Sequence, residues 1–151
     1  MFTRLVEWFL SLFEEELPYQ TLSGEIRVDA AGDGHFGAPR GTRTHRGVDY
    51  LCRPKAPVAS PVFGNVSKIG CCYADDLSWR YVEIITVNGN LHRIFYIKPT
   101  VVIGERIDLH YKIGYARDIT ERYPDTGMTP HLHYEIIDPN GKYLDPTHGA
   151  R

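Results

Sequence analysis

The sequence is poor in the features that mark several common classes of protein. It has three cysteines in 151 residues, Cys52, Cys71 and Cys72, and they form no CxxC pair of the kind used by zinc ribbons and redox motifs. Adjacent cysteines rarely bridge each other because disulfide geometry resists closure. A bridge from Cys52 to Cys71 or Cys72 stays open, but free or buried thiols are the favoured interpretation.

Long runs of one kind of residue are also missing. Lysine and arginine together number 17 against 19 acidic residues, and the formal net charge is −2. No basic run has the length found in nucleic-acid-binding arms, so nucleic acid is not an expected partner. No repeat or low-complexity linker divides the chain, and its length suits one hydrophobic core. We therefore expect a single domain.

The amino-terminal segment is apolar but lacks the ~20 consecutive apolar residues of a membrane span. Arg4, Glu7 and the glutamates at 14–16 interrupt it, and no small-residue cleavage site of a signal peptide follows. Its apolar side chains cover one broad face, which predicts an amphipathic helix over residues 1–18. Such a helix packs on its own domain, on a sister subunit, or on a larger assembly or membrane surface. The main domain is expected over residues 19–151.

After residue 18 the sequence changes to short runs rich in Val, Ile, Tyr and Phe, separated by Gly, Pro, Asn and Asp, which is typical of β-strands. Residues 30–44 hold four glycines and a proline and predict an ordered loop over the site. We expect a tight hairpin at residues 88–90 and a turn at 138–141 before a short final strand. The expected strands cover residues 24–28, 46–51, 61–70, 80–87, 91–98, 111–116 and 131–137.

Two histidine motifs carry the chemistry. His45 and Asp49 are four residues apart in HRGVDY, a nitrogen and oxygen pair that zinc accepts, and Gly47 between them allows close backbone approach. In HLHYE, His131 and His133 are two residues apart within an expected strand, so alternation puts both imidazoles on one face. Taken alone, this second motif is equally consistent with hydrogen-bonded surface histidines.

Three protein ligands with water in the fourth position is the arrangement of catalytic zinc, whereas structural sites usually close all four positions. His45, Asp49 and one of the two strand histidines would supply that set. The remaining histidine would then lie beside the attacking water, where it can act as general base or orienting group. The two motifs together therefore predict a catalytic zinc site.

The motifs HRGVDY, VASPVFGNVSKIG and GMTPHLHYE resemble the lysostaphin and LytM-type zinc endopeptidases, whose pattern is HxxxD, a GxV strand and HxH. The resemblance implies a mainly β fold with an antiparallel β-sheet groove. It also implies that His45, Asp49 and His133 bind Zn²⁺ and that His131 is catalytic. The implied substrate is a peptide of bacterial cell-wall peptidoglycan. A small domain with an anchoring helix and no export signal would suit a phage particle or a lysis protein that reaches the wall by another route.

One strand departs from this pattern. The family carries a further catalytic histidine in a YxH motif, and the corresponding stretch here is FYIKP, with Tyr96 in register and Lys98 in place of the histidine. FYIKP and GVDYLC resemble leukocyte cell-derived chemotaxin 2, an animal relative that keeps the zinc site and is regarded as a binding protein. Two functions follow. The chain is expected to be a zinc endopeptidase in which Lys98 stabilises an oxyanion, or a zinc-stabilised binding module without turnover. Lys98 is equally consistent with a surface lysine at a strand end.

Other charged residues near the motifs have simpler interpretations. His35 is expected to make a hydrogen bond within its loop. Arg40 and Arg43 either bind a substrate carboxylate or pair with Asp29 or Asp33. Three further histidines are expected to face solvent: His92, His110 and His148.

Overall fold

The computed structural model describes residues 4–6 and 16–148. Of the predicted amino-terminal helix, residues 4–6 are helical, residues 16–18 are not, and residues 1–3 and 7–15 lie outside the described residues. Within the described part of the chain, no helix is long and apolar enough to cross a membrane. From residue 16 onward the fold is mainly antiparallel β-structure, which confirms the predicted fold class.

Short strands and hairpins precede a set of longer strands along the described chain. In chain order the strands are β1 (Val28–Asp29), β2 (Gly32–Asp33), β3 (Pro39–Arg40), β4 (Arg43–Thr44), β5 (Val48–Leu51), β6 (Pro57–Ala59), β7 (Gly64–Cys71), β8 (Arg80–Ile85), β9 (Leu91–Pro99), β10 (Arg106–Ile107), β11 (Lys112–Ala116), β12 (His131–Ile137) and β13 (Tyr143–Leu144). One turn of 3-10 helix, Ile119–Glu121, follows β11.

Strands β5 to β13 form one sheet in which β9 is the central strand. One edge of β9 pairs with β8 over almost its whole length. The other edge pairs with β12 from Leu91 to Phe95 and with β11 from Ile97 to Pro99. Strand β5 pairs with the other edge of β12. The β5, β12 and β9 strands therefore lie side by side, and this part of the sheet forms the floor of the site.

Strand β9 changes partner at Tyr96. On the β8 side, Tyr81 lies opposite Phe95 and Arg80 lies opposite Ile97, so Tyr96 has no opposing residue and forms a β-bulge. Its φ of 71° is in the left-handed region, which non-glycine residues seldom adopt. Bulges redirect a side chain out of the normal alternation, and both Phe95 and Tyr96 line the same cavity here.

Most of the predicted strands are present, with ends shifted by up to three residues. The expected strand at 24–28 is wrong, because only Ile26 makes an isolated bridge, to Tyr50, and Val28 begins β1. The predicted loop at 30–44 contains β2, which pairs with β1 just before the loop, and the small β3–β4 hairpin. The predicted hairpin at 88–90 and the final strand β13 are confirmed. Strands β6 and β10 were not predicted because they have only three and two residues.

The two faces of β12 have different roles. Leu132, Tyr134 and Ile136 are fully buried in the hydrophobic core, while the alternate residues, His131 and His133, line the cavity. The alternation predicted for HLHYE is therefore present. Burying the apolar face of β12 fixes the direction of both imidazoles.

His92 corrects one prediction, because it is fully buried rather than solvent-facing. It lies on β9 between two paired strands, and its Nδ1 is 2.7 Å from the Tyr134 hydroxyl. Its cross-strand neighbours, Ile84 on β8 and Ile136 on β12, are also fully buried, so His92 lies on the core-facing side of the sheet. His110 and His148 are exposed, as predicted.

Candidate metal centre

Three side chains from different segments converge on one point. Asp49 on β5 lies directly opposite His133 on β12, and His45 precedes β5 by three residues. His133 Nδ1 is 2.8 Å from Asp49 Oδ1 and 3.1 Å from His45 Nε2. His45 Nε2 is 3.3 Å from the same Asp49 oxygen. Two nitrogens and one oxygen therefore face one another as a group that could hold a metal ion.

The donor set fits zinc. Zinc binds imidazole nitrogen and carboxylate oxygen at about 2.0–2.2 Å with tetrahedral angles, which places ligand atoms about 3.3 Å apart. The three separations of 2.8 to 3.3 Å are close to that spacing. Three protein ligands leave a fourth position on the cavity side, as in catalytic zinc sites.

The nitrogen of each histidine that faces away from this point has a hydrogen-bond acceptor. His45 Nδ1 donates to the His35 carbonyl oxygen at 3.0 Å, and His133 Nε2 donates to Glu135 Oε1 at 2.9 Å. A carbonyl or carboxylate oxygen only accepts, so these nitrogens carry protons. His133 Nδ1 carries a second proton toward Asp49 Oδ1, which binding of a metal ion would displace. His45 Nε2 and His133 Nδ1 are then the nitrogens available to a metal, in the orientation that partners of metal-bound histidines usually fix.

A buried arginine holds the carboxylate of the candidate metal site in place. Arg27, only 4% exposed, donates to Asp49 Oδ2 from Nε at 3.3 Å and from Nη2 at 3.0 Å, and its Nη1 pairs with Asp29 at 2.7 Å. Burial raises the pKa of Asp49, but hydrogen bonds from His133 and His45 hold it well below its usual range. Oδ2 is therefore occupied by Arg27, and the ionised Oδ1 is left for a metal.

The two histidines of HLHYE have opposite pKa shifts. Burial lowers the pKa of His133, but hydrogen bonds with Asp49 and Glu135 raise it to about 9. Burial lowers the pKa of His131 more than the charge of Asp49 raises it. His131 Nδ1 donates to the Thr129 carbonyl oxygen at 2.7 Å, and its Nε2 lies 3.7 Å from Asp49 Oδ2. The unprotonated nitrogen of neutral His131 is therefore Nε2, next to the candidate metal ligands.

Gly47 is required by the same geometry. A Cβ atom at this position would overlap the Tyr134 carbonyl oxygen and lie 2.9 Å from Cε1 of His133. We expect Gly47→Ala to destabilise the fold by about 1–3 kcal/mol, as overpacking does, and to weaken zinc binding by moving the His133 ring. Thermal denaturation and zinc titration measure the two effects.

Gly104→Ala is the matched control for this prediction. Gly104 has a φ of 91° and no atom within 4 Å of an added Cβ, so alanine there strains the backbone far from the ligands. This variant should lose stability but keep wild-type zinc affinity. Unchanged stability and zinc affinity in Gly47→Ala would show that the backbone relieves the overlap without cost.

The cavity beside the ligands has a volume of about 410 Å³ and includes a residue whose role the sequence did not reveal. The ring of Tyr96 meets the His131 ring edge-on, with centroids 5.7 Å apart. Burial and the charge of Asp49 raise the pKa of Tyr96, despite a hydrogen bond with Tyr73 that lowers it. Tyr73 in turn contacts the Tyr123 hydroxyl at 2.9 Å. The hydroxyl group of Tyr96 is therefore protonated, and Tyr96 forms part of the cavity wall.

The structure brings together His45, Asp49, His131 and His133, but it does not bring Lys98 to them. Lys98 is exposed, lies opposite Tyr115 on β11, and lines a different surface pocket with Arg117 and Asp118. In a regular strand, Tyr96 and Lys98 would face the same side of the sheet. The bulge at Tyr96 interrupts this alternation, so Lys98 does not share the cavity with Tyr96.

The three cysteines are free, as the favoured interpretation of the sequence held. Cys72 lines the cavity, and burial raises its pKa to about 11. Burial likewise raises the pKa of Cys52 to about 12. These two cysteines are therefore protonated thiols at neutral pH, with little nucleophilic character. His35 makes the predicted hydrogen bond within its loop, from Nδ1 to Asp33 at 2.6 Å.

Known proteins resemble this chain in sequence and in fold. No protein-family model matches it. Leukocyte cell-derived chemotaxin-2 of Bos taurus is 32% identical over 126 residues, covering 83% of this chain and 79% of the relative. The catalytic domain of the prophage-encoded M23 protein EnpA of Enterococcus faecalis superimposes with a TM-score of 0.61 at 17% identity, covering 85% of this chain and 95% of that one. The catalytic domain of lysostaphin from Staphylococcus simulans gives 0.60 at 20% identity, with coverage of 77% and 87%.

Proposed function

The chain belongs to the family of leukocyte cell-derived chemotaxin-2 and has the fold of the M23 peptidases, and from this premise we propose that it is a zinc-dependent endopeptidase that cleaves peptides of bacterial cell-wall peptidoglycan. The observation that carries the proposal is the cluster of His45, Asp49 and His133 with a fourth position open to a cavity that His131 also lines. A structural zinc site would instead close all four positions with protein ligands.

A zinc ion held by these residues would polarise a peptide carbonyl group and lower the pKa of water. His45 and His133 would present Nε2 and Nδ1 to it, because their other nitrogens donate to His35 and Glu135. Asp49 would bind through Oδ1 while Arg27 holds Oδ2. The buried hydrogen bonds keep these donor atoms in place, so little reorganisation is needed when the ion binds.

His131 is the general base in this proposal. Its Nδ1 proton is held by the Thr129 carbonyl oxygen, so Nε2 can accept a proton from the attacking water and return it to the leaving amine. The position of Nε2, 3.7 Å from the non-metal oxygen of Asp49, places it beside the ligands without making it one of them.

Tyr96 supplies the hydrogen bond that the family's further histidine would otherwise give. Tyr96 lines the cavity and its ring lies against His131, and a neutral hydroxyl donor of this kind stabilises the oxyanion of the transition state. Lys98 was the candidate donor from sequence, but it lines a different pocket. We therefore place Tyr96, and not Lys98, in the reaction.

The second candidate is a zinc-stabilised binding module that uses the same cavity without turnover. It is favoured by the sequence relative, which is named a chemotaxin. The missing counterpart of the family's further catalytic histidine also favours it. Among the described residues that line the cavity, the histidines are His45, His131 and His133. Zinc would then contribute to folding stability alone.

Incubation of zinc-loaded protein with purified peptidoglycans of several cross-link chemotypes separates the two functions. The endopeptidase should release new amine termini from at least one chemotype, and zinc-free protein and His131→Ala should release none. If the wild type binds peptidoglycan but releases no amine from any chemotype, the protein is the binding module and the proposed hydrolysis is wrong.

A further inference from the structure

The lining of the cavity is rich in arginine. Among its described lining residues are four arginines and two carboxylates, which are Arg27, Arg40, Arg43, Arg46, Asp49 and Glu135. Both carboxylates are already engaged, because Asp49 binds Arg27 and Glu135 accepts a hydrogen bond from His133. The cavity wall therefore has more guanidinium groups than carboxylates to neutralise them.

The β3–β4 hairpin places two of these arginines face to face. Arg40 and Arg43 are directly opposite in the register of this hairpin, and like charges in that position destabilise a strand pair. Arg40 is partly anchored, since its Nη2 donates to the Asp33 carbonyl oxygen at 2.6 Å and lies 3.8 Å from Asp49 Oδ2. Among the described residues the Arg43 side chain has no such anchor, so the hairpin keeps an unfavourable charge pair in the cavity lining.

The acidic residues that could have paired with these arginines are bound elsewhere. Asp29 holds Arg27, and the carboxylate of Asp33 accepts hydrogen bonds from His35. Among residues 16–148, no carboxylate lies within 4 Å of the guanidinium of Arg43. Of the two alternatives that the sequence left open for this residue, internal pairing is therefore absent from the described chain.

Arg46 is exposed like Arg43, and an aromatic ring holds its side chain. Its guanidinium lies over the Tyr143 ring at 5.0 Å from the centroid, an arrangement that fixes a cation without neutralising it. An exposed, oriented guanidinium forms bidentate hydrogen bonds to a carboxylate. Arg43 and Arg46, which we call the rim of the cavity, thus offer exposed guanidinium groups to an anion, and both lie within two residues of His45 in the sequence.

We propose that Arg43 and Arg46 bind a carboxylate of the substrate, so that the peptide accepted by this cavity is anionic. This inference rests on the proposed function, since it names the chemistry of the peptide that the same cavity would cleave. The carboxylate has two possible sources, the carboxy terminus of the peptide or an acidic side chain within it. The positive rim also raises the local concentration of anionic peptides and speeds their association.

Binding of fluorescent stem peptides to zinc-loaded protein tests the proposal without requiring turnover. Three peptides are compared: one with all carboxylates free, one amidated at the carboxy terminus, and one amidated at its acidic side chain. We expect one of the two amidations to weaken binding to wild type by about tenfold, the effect of one charge-assisted hydrogen bond. The amidation that weakens binding identifies the source of the carboxylate.

Arg43→Gln and Arg46→Gln should each bind the free peptide about tenfold more weakly than wild type and should no longer distinguish it from the amidated peptide. Arg53→Gln is the matched control, because Arg53 is also exposed but lies outside the described cavity lining, and it should behave as wild type. Thermal denaturation of each variant verifies folding.

The proposal is overturned if wild type binds the three peptides equally or not at all, or if both cavity variants keep the wild-type preference. A carboxylate preference without any hydrolysis would leave the anion-binding rim in place and refute the endopeptidase function. Hydrolysis without a carboxylate preference would support the endopeptidase function and refute the proposed binding of a carboxylate by Arg43 and Arg46.

Discussion

Replacing His45, Asp49 or His133 by alanine is expected to reduce bound zinc from about one ion per chain to less than about a tenth of that. Each substitution removes one of three donor atoms that lie within 3.3 Å of one another, and water cannot restore a preorganised ligand. Elemental analysis of dialysed protein and competition with a chelator measure the loss. The melting temperature should no longer rise when zinc is added.

His131→Ala is the control within the same motif. His131 is bound to the Thr129 carbonyl oxygen and lies near the non-metal oxygen of Asp49, so its removal should leave zinc content unchanged while hydrolysis is lost. An empty site in His131→Ala together with a filled site in His133→Ala would reverse the assignment of the two histidines.

Tyr96→Phe is expected to lower kcat by about 10² to 10³ with zinc retained, the cost of removing one oxyanion donor. Phenylalanine keeps the aromatic ring that packs edge-on against His131 and removes only the hydroxyl group. KM should change much less than kcat, because the hydrogen bond is made mainly in the transition state. Steady-state kinetics on a soluble peptidoglycan fragment separate the two constants.

Lys98→Ala is the matched variant on the same strand. Because Lys98 is exposed and lines another pocket, its removal should change kcat by no more than about twofold, as for other surface substitutions. The reverse pattern, a loss in Lys98→Ala with an active Tyr96→Phe, would restore the lysine as the donor. If neither variant loses activity, His131 and the metal ion account for the whole reaction.

The sequence was sufficient for the parts of the protein that depend on local periodicity. Alternation in HLHYE predicted that His131 and His133 share a face, and the burial of Leu132 between them agrees. The four-residue spacing of His45 and Asp49 predicted one shared ligand point, which the 3.3 Å separation of their donor atoms matches. Turn residues such as Gly89, with a φ of 84°, marked the ends of strands. These signals need only near neighbours in the chain.

The tertiary structure decided everything that depends on which strands lie side by side. The bulge that turns Tyr96 into the cavity arises where β9 exchanges β12 for β11, and no local pattern in FYIKP encodes that exchange. Arg27 holds Asp49 across 22 residues of chain, and His92 is buried because it lies between Ile84 and Ile136 on the core-facing side of the sheet. The sequence alone thus determined the fold class and the ligand motifs. The surroundings of those ligands depended on long-range strand pairing, because side-chain environments in a sheet are set by neighbours that are distant in sequence.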